Sequence, residues 1–304
     1  MRGRMDFQLT EDQRALKAGV RELLEGRFDG AALRDAADSA APSLDRALWR
    51  ELGDAGFFSL RVPEEEGGVG LGIPEAVLAF EEAGRVLLPG PLVATFLAAR
   101  DVTGAAQGAT VVTAVSGVSG VSGASGGLVP WLDEADVVRG DVSGAVPLRS
   151  VDPLTPLHRV TGGAGEGGAA ASEADLLIAA EQLGSAGKTC ETAVRYARER
   201  TQFGQAIGAF QAVKHLCAQM LVRAEVARAA VYAASVTGDG AEMTGAKLLA
   251  DEAAVRNARD CLQVHGGMGF TWEADVHLHL KRAWVRAGLG KSAARAEEEL
   301  AAAL

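Results

Sequence analysis

The sequence is poor in several residue types whose abundance would mark a particular class of protein. Only three of the 304 residues are cysteine, and this small, odd number argues against a disulfide framework or a cysteine-based metal site. Cys190, Cys217 and Cys261 fall within helical patterns, so we predict core thiols in a reducing compartment. Basic residues number 30 against 40 acidic ones, and the net charge of −10 argues against nucleic acid as a partner.

Long apolar runs are also missing from the chain. No run is long enough to cross a bilayer, and the charged N-terminus is not followed by the apolar stretch of a secretory signal. We therefore expect no membrane span and a cytoplasmic location. With 48% hydrophobic and 23% charged residues, the chain is of globular composition and large enough for two or three subdomains.

Helical patterns occupy both ends of the chain. We predict an N-terminal helical domain over residues 1–103, in which Thr10 and Gln13 are spaced as a capping box at the start of the first helix. Residues 171–304 carry four long amphipathic runs, which predict a C-terminal antiparallel four-helix bundle.

The middle part, residues 104–170, has a different composition. β-Branched runs near 110–115, 136–142 and 157–160 predict a reduced β-domain, so the fold class is mainly α with a small sheet. The Gly/Ser repeat over residues 116–127 predicts a flexible loop or linker. It lacks the lysine and the strand-to-helix context of a phosphate-binding loop.

One helix-to-helix connection combines residue types that a simple turn does not require. It runs from Arg200 through Gln202 and Phe203 to Gln211. A guanidinium suits an anion, an aromatic ring suits a planar group and amides suit polar edges, so the turn favours a planar ligand joined to an anion. The residues alone leave open a plain helical hairpin with a solvated Arg200 and a core Phe203.

A second segment, residues 263–270, ends a later helical run. Gln263 is followed by Gly266, Gly267 and Gly269. Glycines end helices and let the backbone approach a ligand closely.

Taken together, these segments resemble the flavin-contacting signatures of the acyl-CoA dehydrogenase family. Residues 52–57, 63–72 and 81–85 resemble the first domain of that family, and the resemblance covers roughly residues 6–100 and 172–290. It implies a fold with an N-terminal helical domain, a middle β-domain and a C-terminal four-helix bundle. It also implies FAD as cofactor, an acyl-CoA substrate desaturated between its α and β carbons, and an electron-transfer flavoprotein as acceptor.

The resemblance also implies which residues contact the cofactor. In the family each flavin lies at a subunit interface, and these two segments reach across to a flavin bound mainly by the neighbouring subunit. The implied cofactor-binding residues are Arg200, Gln202, Phe203, Gln211, Gln263, Gly266, Gly267 and Gly269.

The catalytic carboxylate of the family is missing from both of its usual positions. One position corresponds to Gly290, and the other to Ala174, between Glu173 and Asp175. Glu173 and Asp175 are kept as candidate bases that depend on a one-residue shift of register. Acids near a helix N-terminus also simply favour the helix dipole. A Thr/Ser stretch to cover the flavin ring is not found in the middle domain either.

The main hypothesis is therefore a division of labour between two chains. The sequence resembles the short, non-catalytic type of subunit found in actinobacterial heteromeric (α2β2) acyl-CoA dehydrogenases, whose substrates include steroid side-chain or fatty acyl-CoA thioesters. Two alternatives stay open. One is a self-sufficient homo-oligomeric dehydrogenase with a relocated base, and the other is a flavin-free scaffold or acyl-CoA-binding protein.

A pair of histidines near the end of the chain is interpreted without a metal. His277 and His279 are two residues apart and so point to different faces of a helix, whereas helical ligand pairs need a spacing of three or four. We expect surface or interface histidines and no metal site.

Overall fold

The structure is a computed structural model that describes residues 8–39, 42–119, 125–161 and 169–303. Over these ranges the chain is mainly helical, with a small β region between two helical parts, which confirms the predicted fold class. Among these residues, none of the helices combines the length and hydropathy that crossing a bilayer requires. The division at residues 103 and 170 stays a prediction.

The N-terminal part is a cluster of helices. They are α1 (Glu11–Arg27), α2 (Gly30–Asp38), α3 (Arg46–Asp54), α4 (Ile73–Arg85) and α5 (Leu92–Ala98). The capping box that opens α1 is confirmed: Gln13 N–H donates to the Thr10 hydroxyl, and Thr10 N–H donates to the Gln13 side chain, both at 3.1 Å. Asp29 caps the short α2, which the sequence analysis missed.

The C-terminal part is a helical bundle. Its helices are α6 (Ala169–Glu199), α7 (Gln211–Thr237), α8 (Gly240–His265), α9 (Val276–Ala287) and α10 (Ala293–Ala302). The first four agree with the predicted runs. The sequence analysis missed α10, whose sequence is mostly alanine and glutamate and which buries little beyond Ala296.

Close backbone contact holds α4 against α6. A Cβ added to Gly84 would lie 2.0 Å from the carbonyl oxygen of Glu181, and one added to Gly184 would lie 1.9 Å from that of Glu81. No larger residue fits at either position, because both neighbours are helix backbone. This crossing fixes the part of α6 that carries the Glu181 side chain.

A buried carboxylate joins the two helical parts. Glu81 on α4 is 2% exposed and accepts from Lys17 of α1 at 2.5 Å and from the Tyr232 hydroxyl of α7 at 2.6 Å. Arg228 of α7 also donates to it. Because a buried carboxylate is costly without partners, this network holds α1, α4 and α7 in one arrangement.

The middle part contains two small sheets. Its strands are β1 (Val112–Ala114), β2 (Ser116–Ser119), β3 (Ser125–Pro130), β4 (Val137–Arg139), β5 (Val146–Leu148) and β6 (Leu157–Thr161). β1 pairs with β4 in parallel, and the other four form an antiparallel sheet in the order β2-β3-β6-β5. The three predicted runs correspond to β1, β4 and β6.

The expectation of a flexible Gly/Ser loop over residues 116–127 is wrong at both ends of the repeat. β2 and β3 lie within it and pair in antiparallel register, and residues 120–124 lie outside the described ranges. A Cβ on Gly127 would lie 2.4 Å from Val115 Cγ1, and one on Gly126 would lie 2.7 Å from the Val160 carbonyl oxygen. These glycines therefore permit close packing of the sheet.

Two further expectations from the sequence are corrected. Residues 57–62 are a short run ended by Pro63, which the sequence predicts to be extended; they instead form consecutive turns in which all side chains except Arg61 are buried. His277 and His279 were expected at the surface or an interface and are instead buried within the chain, at 8% and 7% exposed. The reason is that α9 is packed on nearly all sides, so both of its faces are interior: His279 Nδ1 lies 2.7 Å from the Ser185 hydroxyl, and His277 stacks on Trp272.

Candidate functional site

The Arg200 segment forms a tight hairpin at the end of α6. It contains β7 (Thr201–Gln202) and β8 (Gln205–Ala206), and Ile207 N–H donates to the Arg200 carbonyl oxygen at 2.8 Å. The turn residues Phe203 and Gly204 both have positive φ, 52° and 78°, as in the hairpin turns that suit twisted strands. Such a φ is unusual for a bulky side chain.

The structure shows that Phe203 is not a core residue of the hairpin. Its side chain is 90% exposed, and its only ring contact among the described residues is edge-on with Phe210, at 6.1 Å between centroids. A large apolar side chain held in solvent on a left-handed residue is costly on two counts, and such strain concentrates at binding sites. The Phe203 ring is therefore accessible to another molecule.

The polar residues of the same segment also face outward. Arg200, Gln202 and Gln211 are exposed. Over the described ranges, no carboxylate lies within ion-pair distance of the Arg200 guanidinium, and the Gln211 amide nitrogen lies 3.2 Å from a ring nitrogen of His215. The guanidinium is thus available to an external anion.

The second segment begins where α8 ends. Gln263 is exposed, and Gly266 has a φ of 61° in the turn that follows. A Cβ on Gly266 or Gly267 would meet nothing within 4 Å, so the backbone there is open to approach. Gly269 differs, because its Cβ would lie 2.9 Å from the Leu262 carbonyl oxygen. Close packing against α8 therefore explains why position 269 is a glycine.

The structure brings the two segments together. Tyr196, in the last turn of α6, stacks on His265, the last residue of α8, with 4.0 Å between ring centroids. Burial lowers the pKa of His265, which keeps its ring neutral at pH 7. Arg200 and Gln263 therefore lie at the same end of the bundle; we call this exposed end, residues 200–211 and 263–270, the clasp.

A separate cavity of about 680 Å³ lies between the N-terminal helices, the middle sheet and the bundle. α5, β1, β2, the start of α6, α9 and the loop after α9 all contribute to its lining. Much of its wall is apolar: Leu92, Val93, Leu97, Ile178, Val285 and Leu289. A volume of this size suits a small ligand.

The cavity brings together the two positions that the resemblance assigns to the base. Ala174 and Gly290 both line it, and so does Asp175, the neighbour of Ala174. Gly290 has a φ of +70°, and a Cβ built on it would lie 2.0 Å from Asp175 Oδ1. The Asp175 carboxylate therefore occupies the space that a side chain at position 290 would take. It accepts from the Lys291 backbone N–H at 3.0 Å, and burial raises its pKa.

Glu173 does not share this environment. It forms a surface ion pair with Arg61 at 2.6 Å, and it is absent from the described cavity lining. Two residues along a helix turn a side chain by about 200°, so Glu173 and Asp175 face opposite directions. Of the two candidate bases, only Asp175 faces the cavity.

Two arginines of α9 line the cavity and were not singled out from the sequence. Arg282 is held by buried Asp152 and donates to the carbonyl oxygens of Leu88 and Leu154 at 3.1 and 3.3 Å. Arg286 donates to Glu181 at 2.5 Å. The signal that could have found them is their spacing of four residues, which places both cations on one face of α9.

Comparison with known proteins decides the family. Residues 10–107 match the model for the acyl-CoA dehydrogenase N-terminal domain, and residues 171–293 match the model for the acyl-CoA dehydrogenase C-terminal domain. The chain is also 35% identical to acyl-CoA dehydrogenase IpdE2 of Mycobacterium tuberculosis, over 90% of this chain and 91% of that protein. The chain belongs to the acyl-CoA dehydrogenase family.

Solved structures support the same fold. A variant of the Tcur3481-Tcur3483 steroid ACAD superposes with a TM-score of 0.84 at 24% identity, covering 96% of this chain and 97% of that one. The ChsE4-ChsE5 complex of Mycobacterium tuberculosis gives a TM-score of 0.82 at 23% identity, covering 98% of each chain. These two structures confirm the arrangement of helical domains around a small sheet.

FAD, the cofactor implied by the family, can be tested against the residues present. The clasp offers a guanidinium, exposed amides and open glycine backbone, which fit the phosphate and adenosine parts of the molecule. The sheet beside the cavity is less suited to the ring. The Thr113 hydroxyl donates to the Pro130 carbonyl oxygen, and the Ser116 hydroxyl accepts from Gly290 N–H, so both hydroxyls are engaged within the chain.

Proposed function

We propose that this chain is the cofactor-supporting subunit of a heteromeric, FAD-dependent acyl-CoA dehydrogenase, with an α2β2 assembly. Its clasp contacts a flavin that is bound mainly by a partner chain. That partner holds the flavin ring and supplies the catalytic base. The observation that carries this proposal is Phe203, which is 90% exposed on a left-handed turn beside Arg200, a cation with no ion pair among the described residues. A side chain so placed gains only when another molecule covers it.

Each clasp residue has a role that its chemistry suits. Arg200 would pair with the pyrophosphate, because a guanidinium forms bidentate bonds with phosphate oxygens. Gln202, Gln211 and Gln263 would donate to or accept from the polar edges of the adenosine, and Phe203 would pack on its rings. When bound, FAD supplies the acceptor for the β-hydride of the acyl-CoA.

Exposed apolar side chains around the clasp suit a partner chain. Phe270, Met268 and Trp272 are 72%, 47% and 46% exposed. On the adjoining α7, Leu221 and Val222 are 54% and 61% exposed. Exposed apolar side chains of this kind are typical of protein interfaces, and Met268 and Phe270 belong to the clasp itself.

The relatives support both the partner and the substrate class. Two of the similar solved structures are named for pairs of chains, Tcur3481-Tcur3483 and ChsE4-ChsE5, and the first is called a steroid ACAD. By similarity, we propose a catalytic acyl-CoA dehydrogenase chain as partner and a steroid-derived or fatty acyl-CoA as substrate. An electron-transfer flavoprotein would reoxidise the flavin.

The position of Asp175 favours a second candidate function. Its carboxylate fills the place of the missing side chain at Gly290, lines the cavity and has a raised pKa. These properties suit a general base in a dry site. In that case the chain would be a self-sufficient homo-oligomeric dehydrogenase with a relocated base.

One set of purifications separates the candidates. The chain is purified alone and together with a catalytic partner, and the flavin spectrum and acyl-CoA-dependent dye reduction are recorded. We expect no flavin and no activity alone, and both in the pair. Flavin and activity in the chain alone would support the homo-oligomer, and absence of flavin in both preparations would support a scaffold.

Asp175→Asn in the pair adds a second discrimination. We expect the rate of dye reduction to stay within about two-fold, because the base lies in the partner. A loss of a hundred-fold or more, of the size that removal of a general base causes, would assign the base to Asp175.

A further inference from the structure

A buried imidazole without hydrogen bonds lies close to the end of the clasp. His277, near the start of α9, is buried, and neither its Nδ1 nor its Nε2 has a partner among the described residues. A neutral imidazole has one N–H donor and one acceptor nitrogen, so both are left without a bond. Buried polar groups without partners are uncommon and costly. Contact with water would satisfy both nitrogens of His277.

Trp272 covers this imidazole and is held in place by α2. Its ring stacks on His277, with 4.8 Å between centroids and 26° between planes. Trp272 Nε1 donates to the Asp38 carboxylate at the end of α2. Arg34 of the same helix donates to the Trp272 carbonyl oxygen and to Asp275. Because Trp272 and Asp38 are exposed, these contacts can break without opening the core of the bundle.

The charges around His277 oppose its protonation while the cover is in place. Lys281 lies one turn further along α9, with Nζ 4.4 Å from the centroid of the Trp272 ring. Burial, followed by the positive charges of Lys281 and Arg34, lowers the pKa of His277 to about 4. The carboxylates of α2 and of the turn before α9 are exposed or already engaged in the contacts above: Asp35, Asp38, Glu273 and Asp275.

We propose that Trp272 and α2 form a pH-sensitive latch over His277, closed while the imidazole is neutral and opened by acid. In the open state water reaches both ring nitrogens, and the imidazole takes up a proton near its ordinary pKa of about 6.5. Opening also frees the turn after Gly266–Phe270, because Trp272 no longer connects it to α2. The latch is built from this chain alone, so the proposal does not depend on the cofactor contacts proposed above.

Acid favours the open latch because the open state binds the proton more tightly than the closed state. The free energy that keeps the latch closed is fully present above pH 6.5 and declines as the pH falls toward 4. Between pH 7.5 and pH 5.0, the ratio of open to closed chain should rise about ten- to thirty-fold.

Hydrogen exchange measured by mass spectrometry on the full chain follows the opening at pH 7.5 and 5.0. Protection factors are corrected for the intrinsic exchange rate at each pH and compared for α2, residues 266–276 and the centre of α6. A nine-residue helix is not stable in isolation, so α2 exchanges once it is released. We expect protection in α2 and in residues 266–276 to fall about ten- to thirty-fold at pH 5.0.

Low concentrations of urea separate this local opening from global unfolding. A local opening exposes little surface, so exchange in α2 should not depend on urea. Exchange at the centre of α6 requires unfolding of the bundle and should accelerate with urea. Exchange in α2 that accelerates as much as in α6 would overturn the proposal.

Substitution of the histidine tests the cause of the pH dependence. His277→Phe keeps an aromatic ring against Trp272 and removes the titratable group, so protection in α2 should no longer depend on pH. His215→Gln removes an exposed histidine and should leave the fall in protection unchanged. No fall in the wild type, or the same fall in His277→Phe, would overturn the proposal.

Variants of the cover complete the test, even if His277→Phe does not fold. Trp272→Leu leaves the imidazole uncovered, so protection in α2 should be low at both pH values and independent of pH. Asp38→Ala removes the acceptor of the Trp272 indole and should increase opening about two- to ten-fold at both pH values. Asp35→Ala, at an exposed position of the same helix, is the matched control. An unchanged pH dependence in Trp272→Leu, or equal effects of Asp38→Ala and Asp35→Ala, would contradict the latch.

Discussion

The polar groups of the clasp are exposed, whereas those compared with them in the cavity are buried. In the clasp, Arg200 and Gln263 are exposed, and Phe203 is held in solvent at a cost to the chain. In the cavity, Asp175 and Arg286 are buried, and each has a partner within the chain: Asp175 accepts from the Lys291 backbone N–H, and Arg286 donates to Glu181. The polar groups of the clasp are therefore accessible to another molecule, whereas the buried charged groups of the cavity already have partners within the chain. That arrangement suits a subunit which completes a site elsewhere.

The largest expected effect tests whether Asp175 fills the position of the missing side chain. Gly290→Ala should lower the free energy of unfolding by about 2–5 kcal/mol, because it combines a strained φ with a clash against Asp175 Oδ1. Urea denaturation measures the change. Gly144→Ala is the matched control, since Gly144 has the same φ of +70° and open space, and should cost only about 1–2 kcal/mol.

A double variant checks the cause. Asp175→Ala removes the clashing carboxylate, so Gly290→Ala made in that background should cost no more than Gly144→Ala. Equal costs for Gly290→Ala and Gly144→Ala in the wild-type background would show that the carboxylate does not hold that space.

The next effect tests the clasp. Arg200→Ala in the co-purified pair should weaken FAD binding about ten- to a hundred-fold, because a charge-assisted contact of about 1.5–3 kcal/mol is lost. Flavin fluorescence on dilution measures the dissociation constant. Arg198→Ala removes the same charge from the last turn of α6 on another face and serves as control. If both variants retain flavin like the wild type, Arg200 has no role in holding it.

Acid should destabilise the buried side of the bundle. His279 is buried, and burial lowers its pKa to about 3, so the unfolded chain takes up a proton near pH 6.5 and the folded chain does not. The contribution of neutral His279 to the free energy of unfolding is fully present above pH 6.5 and declines as the pH falls toward 3. Between pH 7 and 5 the loss should be about 2 kcal/mol.

Denaturation at several pH values measures that slope. His279→Gln should flatten it, and His215→Gln should not, because His215 is exposed on α7. Identical slopes in the wild type and His279→Gln would mean that another group causes the acid sensitivity.

The smallest effect is expected at the surface. Glu173 pairs with Arg61 in a partly exposed ion pair, so Glu173→Ala should change the free energy of unfolding by less than about 1 kcal/mol. Dye reduction by the pair should not change. A ten-fold loss of rate would restore Glu173 as a candidate base and weaken the distinction drawn between it and Asp175.

The sequence predicted the parts of the fold that depend on local patterns. The capping box at Thr10, the four long amphipathic runs and the β-branched runs correspond to helices and strands in the structure. Glycines between helical runs predicted both clasp segments, because positive φ and helix ends leave a local signature. The roles assigned to the clasp residues stay predictions.

The parts that could not be predicted depend on contacts between distant segments. Nothing near Asp175 shows that it fills the space beside Gly290, since the two are 115 positions apart. His279 was expected at a surface or interface because a spacing of two places it and His277 on different faces of the helix, and its burial is set by helices on both sides of α9. The Gly/Ser repeat looked flexible because local composition does not show that Gly127 packs against Val115.

The stacked rings of Tyr196 and His265 have a consequence for how such a protein can change over time. They couple the ends of two long helices directly, without passing through the middle sheet. Insertions in the sheet, deletions from it or its complete loss would therefore leave the two segments of the clasp in the same relative position. A duplicated gene copy could lose the catalytic role of its middle sheet and still present its clasp to a partner chain.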